Sequence, residues 1–208
     1  MDKKVDYKKD FKQLYTPKIH PEIVDVPKMP FFAVCGSGDP NGEEFAKATE
    51  ALYSMSYAVK MSYKSEDIPT GYYDYTVFPL EGVWDLIDYS KPSTDKSNFK
   101  YTIMIRQPDF LTEKGFERFL EQTKRKKSNP YLDKVRFEYV EDGLNCQMMH
   151  IGSFDDEPGS FARMETYCTD QGYIRSGKIH REIYLSDPRK TEQSKLKTVL
   201  RFHVKPKI

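Results

Sequence analysis

The sequence predicts an α+β protein made of two strand-helix-strand-strand modules, and three observations support this fold class. An apolar strand leads twice into a Gly-Ser-x-Asp turn, at Gly36-Ser37-Gly38-Asp39 and at Gly152-Ser153-Phe154-Asp155. Each turn is followed by a helical segment with a Phe-Ala pair, Phe45-Ala46 or Phe161-Ala162. Each half then closes with a strand that ends in an x-Pro step. Such a repeated order along the chain indicates a duplicated supersecondary unit.

The first half begins with a charge-rich helical extension over residues 1–22, in which apolar residues recur at helical spacing from Val5 to Leu14. Pro17 and Pro21 then interrupt the chain, and the first module is predicted to span residues 23–108. Its predicted elements are a strand over 23–35, a helix over 43–61, and strands over 73–84 and 99–106.

A linking helix is predicted within residues 109–130, because Thr112 is a typical N-cap and residues 124–127 are basic, which suits the C-terminal end of a helix dipole. The second module is predicted to span residues 131–206, and the whole chain, 1–208, is expected to form one domain. Its predicted elements are a hairpin of strands 135–140 and 146–151 that turns at Glu141-Asp142-Gly143, a helix over 160–171, and strands over 178–185 and 197–204.

The composition narrows the class of function. The 33 Lys and Arg residues nearly balance the 32 Asp and Glu residues, so the chain has no net charge that would attract nucleic acid or an anionic membrane. No long apolar run or hydrophobic signal segment is present, and we expect a cytoplasmic protein. The three cysteines form no CxxC pair and have no histidine at metal spacing, so we predict free thiols, no metal and no cofactor.

The most informative residue is a glutamate inside an apolar strand. Alternation along the segment 180–185 places His180, Glu182 and Tyr184 on one strand face. Glutamate is depleted in strands and is rarely buried without a partner. A solvated strand face on which Glu182 pairs with a neighbouring cation is one interpretation. The other is a face that holds a small molecule, because an imidazole, a carboxylate and a phenol stand in a row.

Four more residues are candidates for the site. Trp84 is the single tryptophan of the chain and lies near the end of a predicted strand, where it packs in the core or lines a pocket. Tyr57 and Tyr101 fit either the core or a groove, since tyrosine combines apolar area with a polar tip. His150 is a further ligand-binding candidate, although a hydrogen-bonded core histidine is the more common case.

Several motifs together resemble the GyrI-like small-molecule-binding family, and the similarity covers nearly the whole chain. These motifs are Val24-Asp25-Val26-Pro27, Gly36-Ser37-Gly38-Asp39-Pro40-Asn41, Pro79-Leu80-Glu81-Gly82-Val83-Trp84, Met104-Ile105-Arg106-Gln107-Pro108-Asp109-Phe110, His150-Ile151-Gly152, Asp155-Asp156-Glu157-Pro158 and Glu182-Ile183-Tyr184-Leu185-Ser186-Asp187-Pro188-Arg189. The resemblance implies tandem SHS2-type modules, related by a pseudo-twofold axis, that form an antiparallel sheet with a central ligand groove. In relatives that sense drugs, a buried glutamate at the position of Glu182 receives cationic aromatic ligands.

Some stand-alone members that this chain resembles more closely are described as hydrolases of cyclopropane-containing, DNA-alkylating natural products. The chain departs from the family pattern at two aromatic positions, because Asp85 follows Trp84 where a second tryptophan is usual, and Tyr101 stands where tryptophan is common. These departures alter the aromatic wall that the resemblance implies.

Three functions stay open at this point. The first is a hydrolase in which Glu182 is the general base and a tyrosine hydroxyl, with Tyr57 as the candidate, stabilises the developing oxyanion. The second is sequestration of a hydrophobic or cationic aromatic small molecule without catalysis. The third, a transcription regulator, is disfavoured because only some 20 residues precede the first module, fewer than a helix-turn-helix needs. The oligomeric state is left open.

Overall fold

The computed structural model describes residues 4–207 and confirms the α+β fold class. The described chain divides into two compact units, neither of which is a continuous stretch of sequence. The first unit consists of residues 4–6, 29–80 and 86–140, and the second consists of residues 7–28, 81–85 and 141–207. The module boundaries that the sequence suggests concern the repeat along the chain and stay a prediction.

Nine strands, five α-helices and five short 3-10 helices make up the regular structure of the described residues. The strands are β1 (Glu22–Val26), β2 (Met29–Ser37), β3 (Leu80–Leu86), β4 (Phe99–Arg106), β5 (Arg136–Val140), β6 (Gly143–Ile151), β7 (Tyr173–Arg175), β8 (His180–Tyr184) and β9 (Lys197–Pro206). The α-helices are α1 (Tyr7–Asp10), α2 (Lys12–Tyr15), α3 (Glu43–Lys60), α4 (Glu113–Lys126) and α5 (Glu157–Asp170). None of these helices is long and apolar enough to cross a membrane.

The sheet of the first unit is built around β2, which pairs antiparallel with β4 on one side and with β5 on the other. The first six residues of β2 are all buried, as expected for a central strand covered on both faces. Helix α3 lies on β2 and β4 with a stripe of small and apolar residues at helical spacing. The buried members of this stripe are Ala48, Ala51, Leu52, Met55, Ser56 and Val59.

Helix α4 begins and ends as its sequence predicts. The Thr112 hydroxyl accepts a hydrogen bond from the Gly115 backbone N–H at 3.2 Å, which satisfies one of the free donors at the helix start. Lys124, Arg125 and Lys126 occupy the last turn, where positive charge suits the helix dipole. On the buried side of the helix, the Phe116 ring lies 5.5 Å from the Phe32 ring of β2.

The second unit has the antiparallel strand order β1-β6-β9-β8-β3, and β7 pairs with the end of β9. Helix α5 packs on one face of this sheet and contacts β6. The apolar core between helix and sheet comprises Cys146, Met148, Met164, Cys168, Leu200, Phe202 and Val204. Strand β8, which carries Glu182, belongs to the same sheet as this apolar core.

The opposite face of the same sheet buries an ion cluster. Arg181 of β8 and Arg201 of β9 stand directly opposite each other, and like charges in that arrangement destabilise a sheet unless they are compensated. Arg181 donates to Glu81 Oε2 at 2.8 Å and forms an ion pair of 2.8 Å with Asp142. Arg201 donates to Gln147 Oε1 at 2.8 Å and to a backbone carbonyl of α2 at 2.7 Å. The cluster thus pairs Arg181 with two carboxylates, gives Arg201 neutral acceptors and fastens α2 to the sheet.

The structure corrects four of the sequence predictions. The strand predicted over 23–35 is two strands, β1 and β2, interrupted at Pro27 and Lys28, and the strand predicted over 73–84 begins only at Leu80. The predicted hairpin of 135–140 and 146–151 is wrong, since β5 pairs with β2 while β6 pairs with β1 and β9. Strand β7 was not predicted.

The N-terminal extension also differs from the predicted single stripe. Residues 1–3 of that prediction lie outside the described residues, and the rest contains two short helices, α1 and α2. Tyr7, Leu14 and Tyr15 are buried, so the apolar residues of this segment pack as their spacing suggests.

Candidate functional site

Strand β8 has the alternation that its sequence predicts. Glu182 lies opposite Gly82 of β3 on one side and opposite Leu200 of β9 on the other. The glycine is required at this position, because a Cβ atom on Gly82 would stand 2.6 Å from Trp84 Nε1 and 3.0 Å from the Tyr184 hydroxyl. The missing side chain leaves room for the Trp84 and Tyr184 side chains to meet beside Glu182.

Glu182 is reached by hydrogen bonds from two sides, through Tyr184 and Trp84 on one side and through His180 on the other. The Tyr184 hydroxyl donates to Glu182 Oε2 at 2.8 Å, and Trp84 Nε1 donates to the Tyr184 hydroxyl at 2.8 Å. His180 Nε2 lies 3.0 Å from Glu182 Oε1, and it must carry a proton there because an ionised carboxylate only accepts. Both oxygens of Glu182 therefore have a hydrogen-bond partner within the protein.

The cluster is enclosed but reaches the surface. Only 12% of the Glu182 side chain and 23% of the His180 side chain are exposed. Burial, and then the neighbouring Glu182 carboxylate, hold the pKa of Tyr184 well above its ordinary value. Tyr184 consequently stays protonated at neutral pH and remains a donor to Glu182.

A second carboxyl group, that of Glu157, faces the same cluster. Glu157 is the first residue of α5 and is buried. Burial, and then the Glu182 carboxylate with which Glu157 shares a hydrogen bond, raise the pKa of Glu157 to about 10. The neutral acid form of Glu157 is therefore favoured beside a second carboxyl group, and paired carboxyl groups in different surroundings are what general acid–base chemistry uses.

Aromatic rings flank the cluster. The Phe161 ring of α5 lies edge-on to the His180 ring, with 4.9 Å between centroids. The Phe154 ring lies edge-on to Tyr184 at 6.0 Å, and Phe154 is 41% exposed. Apolar and aromatic walls around a few polar groups are the usual composition of a small-molecule site.

Of the residues that the sequence singles out, the structure brings four together in the second unit: Trp84, His180, Glu182 and Tyr184. Tyr57 and Tyr101 belong to the first unit. Tyr57 lies on α3, is 53% exposed and has its ring 6.5 Å from that of another α3 tyrosine. Tyr101 is buried on β4, with its ring 5.1 Å from Phe45 and packed so close to Gly36 that no side chain fits there. Ligand contact by either tyrosine stays a prediction.

His150 is buried on β6 and uses both ring nitrogens within the protein. Nε2 lies 2.9 Å from the Ser153 carbonyl, which only accepts, so this nitrogen carries the proton. Nδ1 lies 2.9 Å from the Ser160 hydroxyl, to which it is hydrogen bonded. The histidine thus joins the turn before α5 to the first turns of that helix. Its predicted contact with a ligand is not tested by this arrangement.

Sequence reasoning missed three residues of the cluster: Phe154, Glu157 and Phe161. The signals for two of them were present, because Phe161 belongs to the repeated Phe-Ala pair and Glu157 lies in the motif Asp155-Asp156-Glu157-Pro158. A glutamate at a helix start is ordinarily assigned to the helix dipole, which is why its partner on β8 was not foreseen.

No metal site emerges from the described residues, since nowhere in 4–207 do three or more His, Cys, Asp or Glu side chains come together in a group that could hold an ion.

The chain is similar over almost its whole length to three solved structures from Listeria innocua. An uncharacterized conserved protein is 40% identical with a TM-score of 0.92, covering 97% of this chain and 100% of that one. A hydrolase is 39% identical with a TM-score of 0.89 and the same coverage. Another structure described as a hydrolase is 40% identical with a TM-score of 0.91, covering 98% of this chain and 100% of that one.

More distant similarity concerns the fold alone. The C-terminal domain of EcmrR is 12% identical with a TM-score of 0.53, covering 90% of this chain and 98% of that domain. No curated protein matches the chain. The model of the GyrI-like small molecule binding domain matches residues 20–205. With this match and the relatives of about 40% identity, the chain belongs to the GyrI-like small-molecule-binding family.

Proposed function

We propose that this protein is a hydrolase of hydrophobic, cyclopropane-containing DNA-alkylating compounds. The observation that carries the proposal is the carboxylate of Glu182, held by two donors and placed next to the protonated carboxyl of Glu157 under aromatic rings. The family supports a small-molecule ligand, and the relatives described as hydrolases support the class of reaction.

Glu182 is the general base in this proposal. Its side chain is enclosed yet not sealed, so a water molecule and a ligand can approach it. The donors Tyr184 and His180 hold the carboxylate in one orientation, which fixes the direction from which it takes a proton. A positioned base of this kind typically accelerates a reaction by about 10²–10⁴-fold.

The reaction adds one water to the substrate. Glu182 removes a proton from water as the water oxygen bonds to a cyclopropane carbon. The strained carbon–carbon bond breaks, and its electron pair moves to a conjugated carbonyl oxygen. A tyrosine hydroxyl, for which Tyr57 is our candidate, donates a hydrogen bond to that oxygen. A proton from solvent then neutralises the oxygen, and Glu182 returns the proton that it took from water to solvent. No oxidant, reductant or cofactor is consumed.

The alternative is sequestration without turnover. The negative charge of Glu182 beside the rings of Trp84 and Phe161 also suits a cationic aromatic ligand, because carboxylates and aromatic faces both attract cations. A protein of this kind would protect DNA by holding the compound rather than by destroying it.

Incubation of the purified protein with a cyclopropane-containing alkylator in heavy-oxygen water separates the two functions. Hydrolysis gives a product heavier by one water that carries the labelled oxygen, and it does so over many turnovers. Sequestration returns the unchanged compound after denaturation of the protein. The exposed Glu165→Gln variant on α5 is the matched control and should behave as the wild type.

A further inference from the structure

Glu157 is a buried acid whose charged neighbours, among residues 4–207, are the carboxyl groups of Glu182 and Asp155. Its side chain lies at the start of α5 with 6% of the residue exposed. Among the described residues its Oε1 atom has no hydrogen-bond partner, although the atom is fully buried. A buried ionised carboxylate without donors is strongly disfavoured, so the neutral acid is the stable form here.

Glu182 has the opposite surroundings. Tyr184 donates to one of its oxygens and His180 to the other. Hydrogen bonds to the charged form favour that form. Glu157 and Glu182 are hydrogen bonded to each other, and two adjacent carboxyl groups cannot both be ionised at low cost. The donors on Glu182 and the unpartnered Oε1 of Glu157 together favour Glu157 as the carrier of the proton.

The other ionisable groups near the pair are consistent with a protonated Glu157. Asp155, in the turn before α5, adds a further negative charge that disfavours ionisation of Glu157. On β8 the facing groups are His180 and Tyr184, which both serve Glu182. On β6, His150 is hydrogen bonded to Ser160 of α5 and to a backbone carbonyl.

We propose that Glu157 and Glu182 hold one proton between them at neutral pH, that Glu157 carries it, and that Glu157 is thereby a positioning residue that keeps Glu182 ionised. The site then has one negative charge rather than two. The benefit to catalysis rests on the proposed function, because an ionised Glu182 matters most as a base. The shared proton itself does not rest on it and can be measured on the resting protein.

Infrared spectroscopy of the resting protein tests the shared proton. Solvated carboxyl groups ionise near a pKa of about 4.3, so at neutral pH they show no carboxylic acid C=O band. We expect the wild type to keep such a band at neutral pH, with an intensity of one acid per chain and a shift in heavy water. Glu157→Gln should lose the band, and the exposed control Glu165→Gln should keep it.

Glu182→Gln locates the proton. Burial alone should keep Glu157 protonated in this variant, so the band should remain at neutral pH with a lower midpoint on titration. Absence of the band in the wild type would overturn the proposal. So would a band that disappears in Glu182→Gln and persists in Glu157→Gln, because the proton would then sit on Glu182. If Glu157→Gln does not fold, the band of the wild type and its midpoint in Glu182→Gln decide the question.

Discussion

Trp84 Nε1 donates a hydrogen bond of 2.8 Å to the hydroxyl of Tyr184, 100 positions later in the chain. The two residues lie on β3 and β8, which are neighbouring strands, and Gly82 leaves the space in which their side chains meet. Because Tyr184 in turn donates to Glu182, the tryptophan orients the hydroxyl that holds the carboxylate. The aromatic residues of this site therefore serve as hydrogen-bonding supports as well as apolar walls.

Removal of the Tyr184 hydroxyl tests this support. Tyr184→Phe keeps the ring but deprives Glu182 of one donor and Trp84 of this acceptor, so we expect the free energy of unfolding to fall by about 1–3 kcal/mol. Urea denaturation measures the change. The control Tyr63→Phe removes a hydroxyl from an exposed ring and should change stability by less than about 0.5 kcal/mol. Equal effects in the two variants would contradict the support.

The ion cluster on the other sheet face gives a second prediction. Arg181→Met leaves Glu81 and Asp142 in a buried position without the guanidinium that pairs with them. Loss of one partner of a buried ion pair destabilises a protein by about 3–5 kcal/mol, and we expect a loss in that range in urea denaturation. Arg189→Met is the control, because the Arg189 side chain is 85% exposed and its pair with Asp187 is screened by water. A small loss for Arg181→Met would show that the cluster is not needed for stability.

The parts of the fold that sequence predicted well depend on local pattern. Helix α3 and the cap of α4 at Thr112 are specified by neighbouring residues, and the alternation of β8 placed Glu182 with His180 and Tyr184. Strand partners are different, because pairing is decided by long-range packing. The turn-like residues 141–143 suggested a hairpin, yet β5 pairs with β2 and β6 with β1 and β9.

The site was predicted in part for the same reason. Alternation along one strand is visible in the sequence, whereas the approach of Glu157 to Glu182 joins a helix start to a strand that follows it by more than twenty residues. Nothing in the local pattern distinguishes such a glutamate from one that stabilises a helix dipole. Only the fold shows that its carboxyl is buried against a second carboxyl.

Glu157 should make stability depend on pH. Its pKa in the folded protein, about 10, is higher than the ordinary value of the unfolded chain, about 4.3. The folded protein therefore binds more protons between these values, and the stabilising contribution is fully present below the lower value and lost as pH rises through the higher one. We expect Glu157→Gln, which does not titrate, to gain stability relative to the wild type from about pH 6 to about pH 9. Urea midpoints at both pH values measure the gain, and parallel curves for the two proteins would contradict it.

Tyr57 is our candidate for the hydroxyl that donates to the substrate oxygen. Because Tyr57 is 53% exposed, Tyr57→Phe should leave the free energy of unfolding within about 0.5 kcal/mol of the wild type. If the hydroxyl stabilises the oxyanion, turnover of a cyclopropane-containing alkylator should fall by about a hundredfold. Tyr63→Phe, at another exposed tyrosine, should turn over the compound normally. Full turnover by Tyr57→Phe would remove this residue from the mechanism.

Glu182→Gln distinguishes a base from a ligand anchor. The amide keeps the shape of the side chain while removing its charge and its basicity. If Glu182 is the base, turnover should fall by about a hundredfold or more while neutral aromatic ligands still bind. If the protein only sequesters its ligands, a permanently charged aromatic cation should bind more weakly and its neutral analogue should bind as before, which titration calorimetry with each compound measures. Glu165→Gln on the exposed side of α5 controls for the loss of one negative charge. A Glu182→Gln variant with full turnover and unchanged cation affinity would place Glu182 among the merely structural residues of its strand, and the donors from Tyr184 and His180 would then stabilise the fold alone.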